Sequence, residues 1–104
     1  MAVLGNPFAG NTARQMSAQE LVQALRVDIA GELEAIIVYE AHIAATTDER
    51  AKKVLSHIAD EEKTHIGELE QLSYVLCPHE AEREDKGRQE INKQQQSNFQ
   101  AEMQ

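Results

Sequence analysis

Tryptophan is absent from this 104-residue chain, and two Phe and two Tyr are all the further aromatic bulk it has. A core drawn instead from Leu, Ile, Val and Ala suits packed helices. Proline and glycine are missing where they would matter most. Both Pro and three of the five Gly lie outside the segment from Ser17 to Leu76, which holds only Gly31 and Gly67. Turn-rich β architectures need such breakers at short intervals, so their scarcity excludes that class and leaves long helices. A single cysteine, Cys77, cannot form an internal disulfide. No signal peptide or membrane-length apolar run is evident, so a cytoplasmic setting without a membrane partner is expected. Basic residues are outnumbered 10 to 18, for a formal charge of −8, so nothing here neutralises a run of phosphates and nucleic acid is excluded as a partner. The length suits one domain.

What is present divides into three stretches. Residues 1–16 are small, turn-prone and aperiodic, and are expected to be flexible. Residues 17–78 carry the helical signal. Ser17-Ala-Gln-Glu20 is a capping box, in which the hydroxyl accepts an amide near the helix start while Glu20 reaches back. From it Leu21, Leu25, Asp28, Glu32, Ala35 and Tyr39 recur at alternating spacings of four and three. A second apolar row, Val22, Ile29, Leu33, Ile36, Ile37 and Ile43, makes this face wider than one partner helix would cover. Thr46-Thr47-Asp48-Glu49 reads as a break and restart with either Thr as N-cap, short enough that the second helix returns antiparallel. That helix carries Leu55, Ile58, Glu62, His65, Leu69 and Leu72, and Pro78 ends it near Cys77. Residues 79–104 are charged and then Gln-rich, with Ile91, Phe99 and Met103 as isolated apolar points, and are expected to form a short helix and a loose tail. The fold class is therefore all-α: an antiparallel two-helix hairpin, half of a four-helix bundle, with a short C-terminal helix.

Glu62-Lys63-Thr64-His65 puts a carboxylate and an imidazole one helical turn apart on one face, within reach of a single metal ion. Such side chains seldom interrupt apolar stripes unless they are paired or metal-bound. Glu32 lies about 15 residues before the turn, and Glu62 and His65 about 15 and 18 after it, so the three sit at nearly one height in an antiparallel pair. Carboxylates with a minority of imidazole suit iron or manganese better than structural zinc. The plainer reading makes Glu62 and His65 a surface pair and Glu32 a solvated side chain; the height match favours metal. Two-iron bundle sites use two Glu-x-x-His pairs and two further Glu residues, so this chain holds half a site and needs a second copy. Tyr39, two turns beyond Glu32, either hydrogen-bonds a ligand or fills the core. Glu34 lies about 200° around the helix from Glu32, on the outer face. Glu49, Arg50, Lys52, Lys53, Asp60 and Glu61 read as a solvated face, and His42 and His57 as surface or interface histidines rather than ligands.

Glu32-Leu-Glu-Ala-Ile-Ile-Val-Tyr39 and Asp60-Glu-Glu-Lys-Thr-His65, separated by one helix–turn–helix, closely resemble the encapsulated ferritins, and the resemblance extends over roughly residues 20–76. It implies a homodimer that rebuilds the four-helix bundle, dimers assembled into a ring, and a ferroxidase that passes electrons from Fe(II) to dioxygen. It implies that Glu32, Glu62 and His65 of both chains hold two irons, with Tyr39 beside them and Glu34 on the path by which metal arrives. An encapsulin nanocompartment shell is the partner it implies. Two positions depart from the family pattern, Gly31 where an acid is usual and Val38 where a Trp is usual, and the tail shows no Gly-Ser-Leu-type docking peptide. The competing class is a non-catalytic helical oligomerisation module that binds divalent metal.

Overall fold

The computed structural model describes residues 14–103, and within them the chain forms α1 (Ala18–Ala45), α2 (Glu49–Leu76) and α3 (Pro78–Met103). The expectation of a flexible segment over 1–16 falls mostly outside the described residues. α1 starts at the expected capping box: Ser17 Oγ accepts from the Glu20 amide at 3.1 Å and Glu20 Oε1 accepts from the Ser17 amide at 3.1 Å. Arg14 closes this corner by donating to both Glu20 oxygens, at 2.8 and 2.6 Å.

The turn between α1 and α2 departs from expectation. Neither Thr is the N-cap; Thr46 is the C-cap of α1, and Asp48 caps α2. Asp48 Oδ1 accepts from the amides of Arg50 and Ala51 at 2.9 and 3.2 Å. A carboxylate satisfies two orphan amides and also opposes the positive end of the helix dipole, which a hydroxyl cannot do. Thr46 serves instead as acceptor for the Asp48 amide, at 3.1 Å.

α2 ends as expected before Pro78, with Cys77 as its C-cap. Proline then occupies the first position of α3, where its missing N–H costs nothing. α3 is longer than the short helix and loose tail expected over 79–104, running for 26 residues. Its Glu, Gln, Lys, Arg and Ala content has high helix propensity, and pairs such as Asp85–Gln89 (2.8 Å) bind successive turns. The sparse apolar points signalled a helix without a buried face rather than an end to the helix; no residue of α3 is buried.

α1 and α2 pack antiparallel, as Glu40–Lys63 (3.8 Å) and Glu32–His65 (3.4 Å) show. Their seam buries Val22, Leu25 and Ala59, with Ser73 tucked in because its hydroxyl donates to the Leu69 carbonyl at 3.0 Å. Small side chains at Ala59 and Ser73 let the helices approach closely. Beyond this seam the apolar surface stays open: Leu33 is 50% exposed, Ile37 69%, Val54 58% and Leu72 44%. Among the described residues no helix is long and apolar enough to cross a membrane.

Replacing Ser17 by Ala is expected to lower unfolding stability by about 1 kcal/mol, read as a shift of the urea midpoint. The Arg14 guanidinium, with the Ser17 amide, holds the Glu20 carboxyl down to about 2 from the usual 4.5. A depressed carboxyl stabilises above its unfolded value, so the Glu20 contribution is complete at neutral pH and fades as pH falls from about 4.5 towards 2. The midpoint difference between wild type and Glu20→Gln should shrink across that window.

Candidate metal centre

Glu32 projects from the middle of α1, and Glu62 and His65 from adjacent turns of α2. His65 Nδ1 lies 3.4 Å from Glu32 Oε2 and 3.7 Å from Glu62 Oε2. One ligand atom from each of the three can be chosen so that all lie within 4.8 Å of one another. Atoms that grip a first-row metal ion at about 2.1 Å are separated by roughly 3 to 4 Å, so a small rotation of these side chains would close the set around one ion. Two carboxylates and one imidazole form a donor set of hard oxygens with one borderline nitrogen, which fits iron or manganese. No other group of three such ligands occurs among the described residues.

The cluster sits at the edge of the seam. Glu62 and Glu32 are shielded, with side chains 18% and 26% exposed, whereas His65 is 46% exposed. Val54, His65 and Leu72 are separated by 11 and 7 residues, which places them along one line of α2, and all three are exposed. The ligand cluster thus opens onto an apolar stripe, with protein on one side and solvent on the other.

Other residues singled out in the sequence fall elsewhere. Glu34 is half-buried on α1 and does not join the cluster. Tyr39 is half-buried and about 10 Å further along α1 than Glu32, too far along the axis to share an ion directly. Asp28, although on the Glu32 stripe, is exposed and outside the cluster. The outer acids form surface pairs: His57–Glu61 at 2.8 Å and Lys63–Asp60 at 3.6 Å. Reading the sequence missed the contacts that tie α3 down, Arg26 to Glu80 and Tyr74 to Glu84 and Arg88. No periodicity pairs residues so far apart on different helices.

A family model described as ubiquinone biosynthesis protein COQ7 matches residues 13–77, the span of the hairpin. The chain is 42% identical over 76 residues to an encapsulin nanocompartment cargo protein, EncC, of Myxococcus xanthus, covering 73% of this chain and 58% of that protein. It is 38% identical over 73 residues to a ferritin-like–encapsulin shell fusion protein of Pyrococcus furiosus, covering 70% of this chain and 21% of that one. The chain thus spans less than two thirds of the length of either curated relative. The crystal structure of the encapsulated ferritin domain from Pyrococcus furiosus superposes with a TM-score of 0.78 at 33% identity, covering 88% of this chain and 94% of that one.

Zinc, a redox-inert probe, is expected to bind at the cluster and to be followed by calorimetry. His65→Ala or Glu62→Ala should weaken binding by more than roughly tenfold, the lower range for losing even an outer-shell partner. Glu49→Ala, distant on the same helix, should leave it unchanged.

Proposed function

The chain belongs to the encapsulated ferritin-like family, and from that premise we propose that it is a ferroxidase oxidising Fe(II) to Fe(III) at a two-iron site between two subunits. The observation that carries this reading is the half-open cluster of Glu32, Glu62 and His65 set in an exposed apolar stripe. A bundle-type two-iron site takes two Glu-x-x-His pairs and two further Glu residues. One chain supplies one pair and one Glu, so a two-fold axis beside His65 completes the set. Covering the exposed remainder of Val54 or Leu72 would contribute roughly 1 kcal/mol each, and a second copy would cover them twice over. A homodimer is thus the smallest competent unit, and a ring of dimers is the larger assembly proposed.

Iron is the substrate here. Each of two Fe(II) ions gives up one electron, and one dioxygen accepts both with two protons and leaves as hydrogen peroxide. Glu62 would be the carboxylate shared between the two ions, with Glu32 of α1 and His65 of α2 as the further ligands. Four carboxylates per dimer offset much of the rising positive charge, which favours the ferric products. Tyr39 stands beside the centre rather than on it, and Glu34 on the outer face lies where Fe(II) approaches. A dimer this thin has no room for mineral, so the ferric product needs a container. The similarity to an encapsulin cargo protein and to a shell fusion supports placement inside an encapsulin nanocompartment in the cytoplasm, in iron storage or detoxification.

Aerobic Fe(II) oxidation followed by absorbance tests the chemistry. Glu62→Ala should oxidise at the uncatalysed rate; oxidation as fast as wild type would leave only a metal-binding oligomerisation module. Native mass spectrometry with and without metal tests the geometry. Dimers or their multiples carrying two ions per pair of chains are expected, and a folded monomer retaining its own ion would overturn the shared site.

A further inference from the structure

α3 touches the hairpin through few groups. None of its residues is buried, and its larger apolar side chains point outward, with Ile91 56%, Phe99 61% and Met103 73% exposed. Two polar clamps near its start hold it. Arg26 of α1 donates through Nε and Nη2 to Glu80 Oε1 at 3.1 and 2.6 Å. Tyr74 of α2 donates to Glu84 at 3.1 Å and accepts from Arg88 at 2.8 Å, with the Arg88 guanidinium 5.9 Å above the Tyr74 ring. The connection to α2 is one residue, Cys77, at φ −140° and ψ 82°. Between the three helices lies an open groove of about 540 Å³ lined by Arg26, Ile29, Ser73, Tyr74, Cys77 and Glu80.

This attachment lacks the apolar burial that fixes most helices. Arg26 is half exposed, so salt reaches its pair with Glu80 from that side and weakens it. Docking also withdraws Glu80 Oε2 from solvent without giving it a protein hydrogen-bond donor, which works against the docked position. We infer that α3 is a latched arm: it pivots at Cys77–Pro78 as a rigid helix between a docked position held by Arg26–Glu80 and a released one that opens the groove, with ionic strength setting the balance. Release bares the hairpin around Ile29, Ser73 and Tyr74, a surface separate from the Glu32 cluster. The device does not depend on the metal chemistry proposed above.

The test measures distances between spin labels at Lys53→Cys and Gln96→Cys in full-length chain carrying Cys77→Ser, diluted into unlabelled protein. At low salt a dominant docked distance is expected, and at molar salt a second population should grow at its expense. Arg26→Ala should lower the docked-to-released ratio at low salt by at least about fivefold, the upper range for an exposed pair, because Glu80 is shielded and loses its partner. Arg26→Glu combined with Glu80→Arg should restore it. The helical circular dichroism signal should stay constant throughout, because the arm pivots rather than melts. A single distance indifferent to salt overturns the latch in the wild-type background, whatever the stability of the variants. Loss of helix content on release overturns the rigid arm.

Discussion

An antiparallel pair of 28-residue helices has one seam, and whatever the molecule hides must fit inside it. Here that seam takes Val22, Leu25, Ala59 and Ser73 and little else. Each helix nevertheless carries apolar residues around more of its circumference than one neighbour can cover, so Leu33 and Ile37 on α1 and Val54 and Leu72 on α2 are left facing outward. The third helix does not relieve the shortage, since it brings no apolar face of its own. The Cα extents of 61 × 45 × 19 Å describe a slab under two helix diameters thick, a shape in which nearly every residue lies near a surface.

That shape decides what kind of centre the protein can hold. Deep burial of two carboxylates and an imidazole would cost several kcal/mol per charge without compensation. At the edge of a seam the cost is smaller, because Glu32 and Glu62 keep partial access to water and His65 lies against both. The same exposure leaves the cluster open on the side where further ligands would be needed. The Glu62–His65 pair and the unfilled apolar surface lie on the same stretch of α2, between Val54 and Leu72. One event, the arrival of a matching surface, would answer both.

The parts of this arrangement set by local rules were legible in the sequence. Ser17 and Glu20 announce the start of α1 because a capping box is a contact among four consecutive residues. Pro78 announces the end of α2 because it lacks an amide and cannot continue the ladder. The convergence of Glu32 with Glu62 and His65 could be read by counting residues from the turn, since two straight helices of equal rise keep their heights matched. What escaped was competitive or long-range. Thr46, Thr47 and Asp48 are all acceptable caps, and the choice of Asp48 rests on two amide bonds and a helix dipole rather than on residue class. The length of α3 escaped because apolar periodicity is a signal of burial, and an unburied helix of Glu, Gln and Lys gives none. The pairing of Arg26 with Glu80 spans 54 residues, and nothing in either neighbourhood points to the other.

Charge ties assembly to chemistry in the arrangement proposed. Two copies facing each other across His65 would bring four Glu side chains into one interface, in a chain that already carries a formal charge of −8. Without cations, like charges at that distance oppose the contact that the apolar stripe favours. With two divalent ions between them, the same carboxylates become the strongest attraction across the interface. A ligand that binds only the paired state stabilises pairing by an amount that grows with free ligand. By the same linkage, pairing raises the affinity for the ion. Pairing and iron binding would then report on one another: a chain short of iron would be held together by its apolar stripe alone, and a chain supplied with iron by both. Oxidation adds to this asymmetry, because two Fe(III) carry more charge than two Fe(II) and the four carboxylates hold them more strongly. Release of product from such a centre would therefore draw on something beyond the dimer, such as a neighbouring acceptor surface or a growing mineral.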